Sequence, residues 1–282
     1  TDILSAANLR TAYTAAKALT PGGNALSATN RAMVLIPAGR YDFGTGDGSN
    51  HGLELDAQFV DLVGLTGKRE DVVLTSAIAI ASRGTVEQTA DDVKISFLTM
   101  GITSASSTGS GATEAAAYFP TTALANAVLT DVVCQSANPY PVPPMRTYIE
   151  YAGTYTRVAG GTNSFGAGGT VSGTFTDCVG GEDSFGTTVS GTFLRCVAGG
   201  NSFGPYGTAS GTFTDCVGGT WCFGVAGTAS GTFTDCVGGL YSFGNGGTVD
   251  AGAVFIRCHG AGVGTHMNTG TTRDCLDASN NR

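Results

Sequence analysis

Apolar and polar positions along this chain change their period twice. Between Asp2 and Leu19, the residues Leu4, Ala7, Leu9, Ala12, Ala15, Ala16 and Leu19 recur at helical spacing, and Pro21-Gly22-Gly23 stops the run. That spacing predicts a short amphipathic helix. Met33 to Ile36 is then an apolar run, Pro37-Ala38-Gly39 a turn, and Arg40 to Phe43 an alternating stretch with Tyr41 and Phe43 on one side. Strand, turn and strand are implied. Leu53 to Val63 alternates over most of its length, and short β-like stretches follow at Asp71 to Thr75, Val93 to Leu98 and Ala127 to Val133.

Beyond Gly153 the alternation becomes an explicit repeat: Gly153-Thr-Tyr-Thr-Arg-Val, Gly173-Thr-Phe-Thr-Asp-Cys, Gly191-Thr-Phe-Leu-Arg-Cys, Gly211-Thr-Phe-Thr-Asp-Cys and Gly231-Thr-Phe-Thr-Asp-Cys. Successive starts lie 20, 18, 20 and 20 residues apart. Each copy runs on to Ser-Phe-Gly at Phe165, Phe185, Phe203 and Phe243, with Cys222 in place of Ser before Phe223. Degenerate copies stand at Leu129 to Val132, Val254 to Cys258 and Gly270 to Cys275. A coil of this length cannot bury its own apolar face, whereas in-register stacking sets like residue on like at about 4.8 Å. The chain is therefore expected to be all-β, a single-stranded parallel β-helix of about twenty residues per coil behind an N-terminal capping helix. Residues 1–30 form the cap and linker, and 31–282 the solenoid, with regular repeats over 153–258. Tyr155, Phe175, Phe193, Phe213 and Phe233 should stack as one interior column and Phe165, Phe185, Phe203, Phe223 and Phe243 as another. The glycines are expected at corners of positive φ.

Composition sharpens this picture. Only 13% of residues are charged while 44 are Gly, a balance foreign to helical bundles, and 41% hydrophobic content argues against disorder. A net charge of −8 with 14 scattered basic residues argues against nucleic acid as a partner. No apolar run reaches the length of a membrane span, so no membrane insertion is expected.

Of the eight cysteines, Cys178, Cys196, Cys216, Cys236 and Cys258 share one repeat position. In-register stacking spaces their Cβ atoms about 4.8 Å apart, beyond the roughly 3.5–4.5 Å of a disulfide, which predicts a column of small buried thiols. The residue before this position runs Arg157 (before Val158 in the first copy), Asp177, Arg195, Asp215, Asp235, Arg257, so adjacent coils present opposite charges except where Asp215 meets Asp235. That alternation predicts a ladder of cross-strand ion pairs.

Catalytic chemistry is hard to find. Asp91-Asp92 and Glu182-Asp183 are pairs of adjacent carboxylates, but side chains of neighbouring residues diverge where glycosidic cleavage needs two that converge. Cys258, His259 and His266 match no structural zinc spacing. No catalytic residue, metal site or cofactor is assigned. The position before Ser-Phe or Cys-Phe varies where its surroundings repeat, as Asn163, Asp183, Asn201, Trp221 and Tyr241. Amides, a carboxylate and two aromatic rings on one column suit carbohydrate binding. The Thr-x-Thr pairs at Thr154/Thr156, Thr174/Thr176, Thr212/Thr214 and Thr232/Thr234, broken at Thr192/Leu194, form a ranked array that resembles those of β-helical ice-binding proteins.

The run from Asn30 to Gly46, Asn-Arg-Ala-Met-Val-Leu-Ile-Pro-Ala-Gly-Arg-Tyr-Asp-Phe-Gly-Thr-Gly, lies behind the predicted helix. It resembles the opening of the pectate-lyase-like right-handed parallel β-helices, bacteriophage tailspikes and related surface proteins among them. The resemblance covers about the first hundred residues and implies right-handed coils. The acidic calcium ligands and catalytic Arg of pectate lyases, and the aspartates and Gly-His-Gly of polygalacturonases, find no matching positions here. The resulting expectation is a non-enzymatic structural or adhesive β-helix, extracellular and on a cell or virion surface. It would meet a surface polysaccharide through the variable column or assemble as a homo-oligomer or filament. The alternative is a polysaccharide lyase or glycoside hydrolase with acids between Thr103 and Tyr151, and a further one is ice binding.

Overall fold

A computed structural model describes residues 3–47, 51–78, 84–103, 115–119, 126–136, 145–147, 150–166, 169–260 and 271–275. By their contacts the residues fall into two compact units, Thr1–Tyr148 with Thr156–Gly160, and Ile149–Tyr155 with Gly161–Arg282.

The first unit opens on the predicted helix, which occupies Ala6–Lys17. Ser5 caps it by accepting the Asn8 N–H through its hydroxyl, so the helix begins later than the apolar spacing alone implied. Leu9, Tyr13 and Ala16 form its buried face. Among the described residues the strands of this unit pair in parallel: Ile3–Leu4 with Gly39–Asp42, that strand with Val72–Ser76, and that with the second half of Lys94–Ile102. The row of Ala32–Ile36 and Val60–Gly64 joins the first half of Lys94–Ile102. Phe97, at φ 57°, turns the corner between the halves. A second sheet runs in the order Met145–Thr147, Ala115–Phe119, Gly84–Gln88, Leu53–Leu55. The partners Leu62↔Ile95 and Arg40↔Val73 are each 33 residues apart, and Ala32↔Val60 are 28 apart. These coils are longer than the twenty residues of the repeats, because loops are inserted between strands. One buried ion pair ties three of the coils. Arg31 donates to both carboxylate oxygens of Asp61 at 2.8 and 2.6 Å and to the Asp92 carbonyl, and Asp61 also accepts the Lys94 N–H.

In the second unit the coil is close to the predicted length. Thr174–Thr176, Thr192–Leu194, Thr212–Thr214, Thr232–Thr234 and Val254–Ile256 pair in parallel, Phe on Phe, from Phe175 to Phe255. Bridges Val179↔Val197↔Val217↔Val237 make a second row, and Thr170, Thr188, Thr208, Thr228 and Thr248 begin the strands of a third. The chain is a parallel β-helix, and the handedness of parallel crossovers makes its winding right-handed. Both aromatic columns form. Rings within a column stack 4.6–5.0 Å apart and nearly parallel, as Phe193 on Phe213 at 4.9 Å and 8°. Rings of one column meet the other edge-on, as Phe203 meets Phe213 at 5.8 Å and 85°.

The glycine expectation requires correction. The left-handed corners of this unit are mostly not glycine: Asp177, Arg195, Asp215, Asp235 and Arg257 have φ of 50–54°, the five interior Phe of the second column 51–57°, and the variable column 51–63°. Among the described glycines of this unit, the one after each of those Phe shares the conformation, Gly204 at φ 76° for example, as does Gly246 at φ 70°. The repeat glycines serve close approach instead. A Cβ on Gly211 would fall on the carbonyl oxygen of Gly191 in the coil before it.

Candidate functional site

The corner that carries the variable column is built by the backbone. The N–H of each residue reaches to the next coil: Asn163 to the Glu182 carbonyl at 2.8 Å, Asp183 to Gly200 at 2.9 Å, Asn201 to Thr220 at 2.8 Å and Trp221 to Leu240 at 2.9 Å. The following Ser164, Ser184, Ser202, Cys222 and Ser242 turn inward and are fully buried. The scaffold demands positive φ at the variable position and nothing of its side chain. Asn and Asp take that conformation at little cost, but for Trp and Tyr it is strained. Buried Phe in the same conformation are compensated by packing, whereas Trp221 and Tyr241 are 39% and 40% exposed.

The two exposed rings meet edge-on at 5.8 Å, and Trp221 meets Tyr206 at 6.4 Å. Beside them lies an open depression of about 370 Å³ lined by Glu182, Gly200, Asn201, Tyr206, Thr220 and Trp221. Two of the five residues singled out in sequence, Asn201 and Trp221, therefore line one hollow, and Tyr241 joins it through the Trp221 ring. Asn163 and Asp183 stand on the same corner in earlier coils, and neither lines the hollow. Sequence reasoning passed over Tyr206. Its signal is Pro205-Tyr206 in a turn that is Val225-Ala226 and Asn245-Gly246 in later copies.

Other candidates resolve into structure. Asp91 and Asp92 both hold Asn126, Asp91 accepting its backbone and side-chain N–H at 3.0 Å each. Cys258 points into the core while His259 next to it is exposed, and His266 lies outside the described residues. Within the Thr103 to Tyr151 stretch, Asp131 is bound by Arg157 at 2.6 Å through both oxygens, and Arg157 holds its carboxyl below the ordinary range. Most of that stretch is outside the described residues. Arg195 grips Asp177 and Arg257 grips Asp235 in the same bidentate way, so the charge column resolves into pairs. All eight cysteines are buried and unbridged. Cys222 occupies the buried serine column, and burial pushes its thiol up to about 12. Thr212↔Thr232 and Thr214↔Thr234 stand in register, while Leu194 and the pair Val254/Ile256 interrupt the rank.

No family model matches the chain, and no curated protein matches it. Among solved structures it is similar to pectin methylesterase PemA from Erwinia chrysanthemi, at 14% identity over 93% of this chain and 75% of that one, with a TM-score of 0.39. A pectin methylesterase in complex with hexasaccharide VII is similar at 14% identity over the same shares, with a TM-score of 0.35.

Proposed function

We propose that this chain is a non-enzymatic, surface-borne β-helix that binds polysaccharide through the corner carrying Tyr206, Trp221 and Tyr241. The observation that carries this reading is the placement of Trp221. A large ring is held in a strained backbone conformation, exposed, against a second and a third ring and beside a hollow with an acid, an amide and a hydroxyl. The scaffold sets the positive φ, but the choice of a large exposed ring there, where Asn or Asp costs less, needs a reason outside the fold. Flat rings stack on the apolar faces of sugars, and Glu182, Asn201 and Thr220 offer partners for hydroxyl groups. The hollow is open and shallow, and no second carboxylate lines it opposite Glu182, so the site suits binding rather than glycosidic cleavage.

The test is a glycan array read together with an assay for new reducing ends and unsaturated products. Binding without turnover, weakened at least tenfold in Trp221→Ala, is the expected result. Turnover of a bound glycan would replace this reading with the lyase or hydrolase alternative. Silence on the array would sink carbohydrate binding, and freezing-point hysteresis with Thr212→Leu as the control would then test the threonine rank.

A further inference from the structure

The charge around the hollow narrows the glycan. From Gly161 to Asp250 the chain carries six carboxylates, Asp177, Glu182, Asp183, Asp215, Asp235 and Asp250, against a single basic residue, Arg195, with no Lys and no His. Arg195 is engaged by Asp177 through two nitrogens, at 2.6 and 2.9 Å, and Asp235 is gripped by Arg257 just beyond this stretch, so the acids outside an Arg pair are Glu182, Asp183, Asp215 and Asp250. Glu182 lines the hollow, and Asp183 beside it is exposed. A uronate or sulfated glycan would therefore bring its negative charge to a surface with no cation to receive it. The same surface suits a positive charge: carboxylates supply the Coulomb attraction, and the faces of Trp221, Tyr206 and Tyr241 attract a cation through their ring quadrupoles.

We infer that the ligand is an amine-bearing glycan, a polymer of hexosamine residues with free, protonated amino groups. The inference rests on the carbohydrate reading above and names its ligand class. One sugar ring stacks on Trp221 while an ammonium group one residue along the polymer meets Glu182 and Asp183. Neutralising those two acids removes the charge without touching the rings.

Titration calorimetry with three probes separates the outcomes: a glucosamine hexamer, its fully N-acetylated counterpart and an oligogalacturonate of equal length. The glucosamine hexamer should bind tightest, weaken as salt rises, and weaken again as rising pH takes its protons. Glu182→Gln with Asp183→Asn should cost that probe roughly two- to fivefold more than it costs the N-acetylated one, which loses only hydroxyl partners, while Trp221→Ala should abolish both. Circular dichroism of each variant confirms that the repeats remain folded. Equal binding of the free and N-acetylated hexamers, or preference for the galacturonate, overturns the inference while the carbohydrate reading stands. No binding of any probe overturns both.

Discussion

At the scale of single residues, the second unit reverses the usual assignment of glycine and non-glycine. Asp215 holds φ 53° at a corner that glycine would take without strain, while Gly211 sits where a Cβ would strike the Gly191 carbonyl. The reason is proximity: coils stacked at strand spacing bring backbone onto backbone at the Gly-Thr-Phe position, whereas the Asp corner opens to solvent. Gly211→Ala is therefore expected to lower stability by about 1–3 kcal/mol or more, and Asp215→Gly to hold or raise it. Thermal unfolding of the two variants checks this, and the reverse order would show that corner strain, not coil contact, limits the fold. Trp221 and Tyr241 belong to the same argument. The variation that marks them is visible in sequence, but the strained conformation that gives it meaning is not.

At the scale of the element, two kinds of column join neighbouring coils. Aromatic columns do so by burial and edge-to-face packing, and their existence follows from a recurring Gly-Thr-Phe strand at nearly constant spacing, which places Phe on Phe. The charge column acts in pairs. Arg157 and Arg257 hold the carboxyls of Asp131 and Asp235 below the ordinary range, chiefly by hydrogen bonding. Because these folded values lie below the unfolded one near 4, the pairs stabilise above about pH 4 and that stability is lost as pH falls through the folded values. Asp131→Asn with Asp235→Asn should thus lower the melting temperature modestly at pH 7, by a gap that closes towards pH 2 and narrows in 1 M salt. A gap independent of pH would assign the loss to packing. Sequence alternation predicts opposite charges on adjacent coils except where Asp215 meets Asp235; it does not say that Arg195 turns to Asp177 and Arg257 to Asp235, leaving Asp215 out of a bidentate pair.

At the scale of the whole molecule, all eight cysteines are buried and none is bridged. Burial pushes the thiols of Cys134 and Cys222 up, and Cys196, between the Cys178 and Cys216 thiols, is held up by hydrogen bonding to them and by burial. A thiol-specific reagent at neutral pH should find almost no rapidly reacting cysteine in the native protein and all eight in denaturant without reductant. Fewer than eight in denaturant would reveal bridges. Legibility in sequence divides along the same line as the two units. In the second, an eighteen- to twenty-residue repeat announces coil length, interior columns and buried thiols, because a periodic sequence stacked in register has one arrangement that buries its aromatic faces. In the first, coils of 26 to 34 residues have no repeat, so strand positions could be read from alternation but their partners could not. The Arg31–Asp61 pair, spanning three coils, carries no local signature at all. Tertiary structure alone also decided that Asn201 and Trp221 share a hollow with Tyr206 and Glu182, while Asn163 and Asp183 do not. Periodicity records which residues occupy equivalent corners, but a binding surface is made by side chains of different corners and turns that approach one another only when the coils are stacked.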